Sequence, residues 1–118
     1  MSAEWLEEYC LSFKGATAEV QWETSLLYKV GGKIFVIASI LQTSELLLSL
    51  KADPENFDEL VEREGIIPAP YLARSKWIAI ERTARIKPAE IKELIKTSYE
   101  LVVAKLPVKV RKELGHGG

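Results

Sequence analysis

The chain has 118 residues, of which 47% are hydrophobic and 28% are charged, and its formal net charge is −1. This length and composition predict one soluble globular domain, over residues 1–114, and exclude a disordered or fibrous protein. A single Cys and a single His exclude disulfide-stapled folds and the usual zinc modules. The first residues are acidic and no stretch approaches about 18 apolar residues, so we expect a cytoplasmic protein without a membrane span.

The first predicted helix has an apolar stripe and an acidic face. Leu6, Cys10 and Phe13 recur at helical spacing. Ser2 is a candidate N-cap, and Gly15 would end the helix. Cys10 is expected to be a buried thiol rather than a reactive one, because it lies on the apolar stripe. The other face carries Glu4, Glu7 and Glu8. These acids could form a cation site but are more typical of a solvated helix face, and we predict no metal centre.

A β-hairpin is predicted around Gly31 and Gly32. The flanking residues are rich in aromatic and β-branched side chains, and the two glycines supply the positive φ angles of a type I′ turn. In this register Val30 faces Lys33, Tyr28 faces Phe35, and Leu26 faces Ile37. One face of the hairpin is therefore apolar, with Lys33 at its tip.

The middle of the chain alternates strands with a short helix. Residues 45–52 are expected to form a strand, and Asp53 should begin a helix that ends at Gly65. Residues 66–76 contain two prolines and no sustained period, which predicts a loop. Residues 76–81 then form a further strand.

The last part of the chain is predicted to be helical. Pro88 should open a long helix, and Pro107 should open a short one. Residues 115–118 are expected to be a disordered tail. Its His116, the only histidine, is therefore not expected to act in catalysis.

Charge is divided between the two halves of the chain. Residues 1–64 hold 12 acids and 5 bases, a net charge of −7, whereas residues 65–118 hold 5 acids and 11 bases, a net charge of +6. The densest bases are Lys105, Lys109, Arg111 and Lys112. This cluster could bind phosphate groups. It is equally well explained by cations that stabilise helix C-termini and by the polar face that a terminal helix needs.

A second candidate segment mixes aromatic rings with cations. It contains Tyr71, Arg74, Lys76 and Trp77, and such side chains can stack on bases and hold phosphates. A structural role is favoured for the two aromatic residues. Trp77 begins an apolar strand, and Tyr71 follows a proline and could anchor the loop.

Four segments in order resemble the MmcQ/YjbR family of small bacterial proteins. They are LEEYCLSFKGATAE, LLYKVGGKIFVIAS, LLLSLKADPENFDELVEREGIIPAPYLARSKWIAIE and IKELIKTSYELVVAKLPVKVRKEL. The most specific parts are the YKVGGKIF hairpin, the PAPY and KW pairs of the loop, and the SYELVVAKLP run followed by bases. The resemblance implies an α+β fold, a CyaY-like, frataxin-resembling two-layer sandwich whose antiparallel sheet is covered on one face by helices.

The resemblance also implies the family's customary DNA-binding label, and it brings no catalytic residues. The residues that would contact double-stranded DNA are Lys33, Arg74, Lys76, Trp77, Lys105, Lys109 and Arg111, with Lys112 in the same cluster. We therefore expect a non-enzymatic module without a cofactor that binds DNA weakly and without sequence specificity. One alternative is a protein-interaction or small-ligand module that uses the open sheet face. Another, from fold analogy alone, is a frataxin-like metal surface.

Overall fold

The computed structural model of the protein describes residues 3–41 and 43–116, in which a six-stranded sheet carries helices on one face. The helices of this part are α1 (Ala3–Leu11), α2 (Phe57–Glu62), α3 (Pro88–Ala104) and α4 (Val108–Glu113). Its strands are β1 (Ala16–Gln21), β2 (Ser25–Val30), β3 (Lys33–Ser39), β4 (Leu46–Lys51), β5 (Ile66–Pro68) and β6 (Trp77–Glu81). The strand order is β1-β2-β3-β4-β6-β5, and every neighbouring pair is antiparallel. The expected fold class is confirmed. The candidate N-cap Ser2 lies outside the described residues.

The main core lies between the sheet and helices α1, α2 and α3. Strands turn alternate residues to opposite faces, so Tyr28 and Val30 of β2 both point toward the helices and are fully buried. Leu6, Phe57 and Ile91 bring one helix each into the same cluster. The helix-covered face predicted from the apolar stripes is therefore confirmed.

A β-bulge shifts the register of the β2–β3 hairpin. Val30 faces Lys33 as predicted, but the ladder is irregular between Tyr28 and Lys29. Beyond that point Tyr28 faces Val36 and Leu26 faces Ala38, so the predicted Tyr28–Phe35 and Leu26–Ile37 pairs are wrong by one residue. Phe35 is the extra residue, and it is buried in the main core next to Val36. An extra residue in one strand bends the strand and cannot be recognised from apolar alternation.

Two strands were not predicted from the sequence. Most residues of the edge strand β1 are exposed, so it shows no apolar alternation. Strand β5 has three residues and ends at Pro68, which an edge strand tolerates. Residues 66–68 of the predicted loop therefore pair with β6, and a short 3-10 helix, Ala73–Ser75, follows within the same segment.

The end of the described chain packs against the domain. The backbone N–H of His116 donates to the carbonyl of Arg111 at 2.8 Å. Nε2 of His116 lies 2.7 Å from the hydroxyl oxygen of Tyr99, and that hydroxyl donates to the carbonyl of Lys14. The expectation of a disordered tail is therefore corrected for Gly115 and His116. Residues 117–118 lie outside the described residues.

Candidate nucleic-acid interface

One end of the sheet gathers basic residues from both halves of the chain. The β2–β3 turn, the end of β4, the loop before β6 and the junction of α3 with α4 all meet there. We call this surface the basic end and define it by Lys33, Lys51, Arg74, Lys76, Lys105 and Lys109. Lys33 and Lys51 belong to the acidic half of the sequence. The surface is therefore defined by the topology and not by the C-terminal half alone.

The glycine turn brings Lys33 beside the terminal helices. Gly31 and Gly32 have φ angles of +59° and +80°, as a type I′ turn requires. A Cβ atom on Gly31 would lie 2.7 Å from Cδ1 of Leu106 and 3.1 Å from Cγ1 of Val110. The turn therefore lies directly on the α3–α4 junction, whose exposed residues include Lys105 and Lys109.

Ser98 fixes the end of β4 beneath α3. Pairing between β3 and β4 stops at Val36 and Leu50, where the strands separate. The hydroxyl of the buried Ser98 bridges this gap, because it donates to the carbonyl of Phe35 at 2.7 Å and accepts the backbone N–H of Lys51 at 3.0 Å. Ser98 thus takes the place of a hydrogen bond between β3 and β4. It also joins Lys51, the first residue beyond the β3–β4 ladder, to α3.

Lys51 is a member of the basic end that the sequence interpretation missed. Lys105 follows Ser98 by two helical turns and so occupies the same side of α3. This places Lys105 next to Lys51 at the end of β4. Burial, and next the adjacent Lys105 ammonium, lower the pKa of Lys51 below its usual value. Both causes disfavour the protonated form of a half-buried lysine.

Lys76 is held at the same end by its backbone and its side chain. Its carbonyl accepts the N–H of Ala52 at 2.8 Å, which joins the loop to the end of β4. Its φ of +62° is left-handed, and its Nζ lies 4.9 Å from the ring centroid of Phe57. The exposed Arg74 lies two residues earlier, in the 3-10 helix.

Three other predicted contact residues do not belong to the basic end as defined above. Trp77 is 8% exposed and packs with Ala69 and Ala79, so the expectation that it contacts DNA is corrected. Arg111 is half-buried, and its Nε has no hydrogen-bond partner among the described residues. Lys112 is exposed on α4. The exposed aromatic residue of this end is instead Tyr71, which is fully exposed and has a φ of +66°.

Several bases elsewhere in the described chain already have a partner within the protein. The Arg63 guanidinium donates to both carboxylate oxygens of Glu90, at 2.9 and 2.5 Å. Arg82 donates to the carbonyls of Leu41 and Ser44, each at 2.9 Å. Two other lysines are also engaged: Lys29 pairs with Glu19, and Lys92 lies over the rings of Trp5 and Tyr9.

The basic end differs from Arg63 and Lys29 in its lack of ion pairs within the described residues, although the ammonium of Lys76 lies over the ring of Phe57. Within residues 3–41 and 43–116, no ion pair joins one of its bases to a carboxylate. The acids that follow β4 are Asp53 and Glu55, and Oδ1 of Asp53 accepts the backbone N–H of Glu55 at 2.9 Å. The ammonium and guanidinium groups of this end therefore remain available to an external anion.

The other candidate sites have simple structural descriptions. Glu4, Glu7 and Glu8 are exposed, and no group of three potential metal ligands is found in the part of the chain that the structure describes. Cys10 is fully buried, and burial raises the pKa of its thiol to about 12. Such a thiol is inert at neutral pH. None of the described helices is both long and apolar enough to span a membrane.

The open sheet face carries a shallow pocket of about 340 Å³ beside β3 and β4. Hydroxyl and aliphatic side chains line it, and they belong to Thr24, Ser25, Ile37, Ser39, Leu41, Ser44, Leu46, Leu47, Leu48 and Ser49. This lining includes no acid, base, Cys or His. The pocket thus provides hydrogen-bonding groups without a titratable pair for acid–base chemistry.

Comparison with known proteins agrees with the resemblance seen in the sequence. The family model described as YjbR matches residues 11–101. The chain belongs to the YjbR family. An uncharacterized Escherichia coli O157:H7 protein, YbdF, is 30% identical over 94 residues, which are 77% of this chain and 75% of YbdF.

Two solved structures share the fold. The crystal structure of the Deinococcus radiodurans protein DR2400, a domain described as DUF419, has a TM-score of 0.85 and 27% identity, and the match covers 98% of this chain and 89% of that protein. A protein from Pseudomonas syringae has a TM-score of 0.70 and 19% identity, with 86% and 98% of the two chains covered. The first match extends the shared fold over nearly the whole chain, beyond the family match that ends within α3.

Proposed function

We propose that this protein is a non-enzymatic module that binds duplex DNA weakly and without sequence specificity through the basic end. The observation that carries the proposal is that six bases without an ion pair in the described chain lie together at one end of the sheet. The bases of the basic end form no ion pair with a described carboxylate, whereas Arg63, Arg82 and Lys29 elsewhere have partners. Unpaired cations that converge on one surface are the requirement for phosphate binding.

The geometry of the basic end favours contact with the DNA phosphate backbone over contact with the edges of the nucleotide bases. The bases come from a turn, a strand end, a loop and a helix junction, and no helix of the basic end projects as a unit into a groove. Lysine ammonium groups neutralise phosphates without reading sequence. Tyr71 adds an exposed aromatic face that could stack on a base at a duplex end or in a frayed region.

The affinity should be low because the whole chain is slightly acidic. The net charge is −1, so acidic surfaces elsewhere repel DNA while the basic end attracts it. Contact with about three to five phosphates then gives binding in the micromolar range or weaker at moderate salt. A cytoplasmic location, expected from the sequence, would give this module access to DNA.

Charge reversal at exposed residues tests the proposal. The double variant Lys105→Glu, Lys109→Glu changes two bases of the basic end, and both are exposed, so the fold should be retained. Retention of a duplex of about 20 base pairs at about 50 mM salt should fall at least tenfold. The matched control is Lys87→Glu, Lys96→Glu, which makes the same charge change on exposed residues of α3 and its N-terminus.

The control separates a local surface from net charge. It should weaken retention no more than about twofold. Equal losses in the two double variants would show that DNA responds only to overall charge, and the proposal would be wrong. Absence of salt-sensitive retention by the unaltered protein would also contradict it, and the open-face pocket would then be the better candidate for a small-ligand site.

A further inference from the structure

We propose that Lys51 and Lys105 form a subsite in which two ammonium groups hold a single phosphoryl group at the separation of β3 from β4. This inference deepens the proposed function and rests on it for one source of that group, the DNA backbone. The other source is inorganic phosphate or a small phosphorylated compound. The shared ligand chemistry is a phosphoryl group with at least two free oxygens.

The fold itself brings the two lysines together. Ser98 binds the backbone N–H of Lys51 at 3.0 Å, and Lys105 occupies the same side of α3 two turns later. β3 and β4 have already separated at this point, since their last pair is Val36 with Leu50. Lys51 therefore pairs with Trp77 of β6 on one side but has no strand partner on the side toward β3.

The protein does not neutralise this pair of charges. None of the described acids forms an ion pair with Lys51 or Lys105. The C-terminus of α3 contributes only about half of an elementary negative charge. Its Val102 and Val103 carbonyls already accept the backbone N–H of Lys105. The two ammonium groups therefore have no directly paired carboxylate among the described residues.

The local environment is also suited to a small anion. Lys51 is half-buried, so its ammonium is less screened by water than that of a fully exposed lysine. The depressed pKa of Lys51 is consistent with this environment. Hydrogen bonds to a charged acceptor are about twice as strong as neutral ones. A phosphoryl group between the lysines would remove their mutual repulsion and accept from both.

Titration with inorganic phosphate, followed by NMR of the lysine side chains, tests the subsite without DNA. We expect saturable shifts at Lys51 and Lys105 with a dissociation constant in the roughly millimolar range. Lys105→Gln and Lys51→Gln should each weaken phosphate binding about tenfold. Lys96→Gln, on the exposed surface of the same helix, should leave it unchanged. Lys105 is exposed, so its variant remains informative even if Lys51→Gln disturbs the fold.

The same variants in a duplex-retention assay separate the two proposals. Loss of phosphate and of DNA binding together supports both. Phosphate binding at the pair without any duplex retention supports the subsite, assigns it to a small phosphorylated ligand and overturns the proposed function. Equal duplex retention in Lys105→Gln and Lys96→Gln, together with no saturable phosphate shift at the pair, overturns the subsite and leaves the proposed function standing. The same equal retention with phosphate binding at the pair supports the subsite and assigns it to a small phosphorylated ligand. Phosphate shifts of equal size at Lys96 would show diffuse ion binding and also overturn the subsite.

Discussion

The two ends of the sheet both carry bases, but they use them differently. At the end opposite the basic end, Arg82 fixes the loop after β3 through the carbonyls of Leu41 and Ser44. At the basic end, Lys51 has another lysine as its neighbour. Arg82 thus stabilises a loop of the protein, whereas Lys51 forms no ion pair with a described carboxylate. A base therefore indicates a binding surface only when it has no partner within the protein itself.

The hairpin turns at the two ends of the sheet differ in backbone strain and in packing. At the basic end, Gly31 and Gly32 adopt positive φ angles without strain and let the turn approach α3 and α4. At the opposite end, Trp22 and Glu23 have φ angles of 55° and 58°, which side chains with a Cβ rarely adopt. Trp22 is also 77% exposed. The glycine turn packs closely against the α3–α4 junction, whereas the Trp22–Glu23 turn has a strained backbone and a largely exposed Trp22.

The largest expected effect distinguishes the two glycines of the close-packed turn. Gly31→Val should lower the free energy of unfolding by about 3–5 kcal/mol, because a left-handed β-branched residue would also press on Leu106. Gly32→Val should cost only about 1–2 kcal/mol, because a Cβ there meets no atom within 4 Å. Urea unfolding of both variants checks the difference. Equal costs would contradict the packing of the turn against the α3–α4 junction.

The next effect tests the contrast between engaged and unengaged bases. Arg82→Met should cost about 1–3 kcal/mol, because two backbone carbonyls lose their charged donor. Arg74→Met at the basic end should change stability by no more than about 0.5 kcal/mol. Thermal unfolding of the two variants measures this. A destabilisation by Arg74→Met as large as that by Arg82→Met would show that the basic end is structural.

The smallest effect concerns the strained turn. Replacing Trp22 with Asn and Glu23 with Gly provides the residues that a type I′ turn favours, and it should stabilise the protein by about 1 kcal/mol. Retention of duplex DNA should not change, because this turn lies at the opposite end from the proposed surface. Chemical denaturation of the double variant is the measurement. A loss of stability would mean that Trp22 makes a stabilising contact that outweighs the strain.

The sequence predicted those elements whose signals are local. The glycine pair, the proline-initiated α3 and the apolar stripes with Leu6, Phe57 and Ile91 were confirmed. The edge strand β1 was missed because exposed residues leave no alternation. The register beyond Lys29 was wrong because nothing local in the sequence marks Phe35 as a bulge residue.

The candidate site was only partly predictable for the same reason. Lys105 and Lys109 stand out as a dense run, but Lys51 looks like the polar end of an ordinary strand. Lys51 belongs to the basic end because Ser98, which lies 47 residues away in the chain, fixes the end of β4 under α3. Trp77 was included because of its neighbours in the sequence, but in the structure it lies on the face of β6 opposite the main core and is buried there against Ala69 and Leu72. Contacts between residues distant in the chain therefore decide which bases share a surface.

The salt dependence of duplex binding tests the central claim most directly. If the basic end neutralises about three to five phosphates, the logarithm of the binding constant should fall with the logarithm of salt concentration with a slope of about −3 to −4. The Lys105→Glu, Lys109→Glu variant should lose about two units of that slope, whereas Lys87→Glu, Lys96→Glu should keep it. A slope near zero for the unaltered protein, or an unchanged slope in the Lys105→Glu, Lys109→Glu variant, would contradict DNA binding through the basic end.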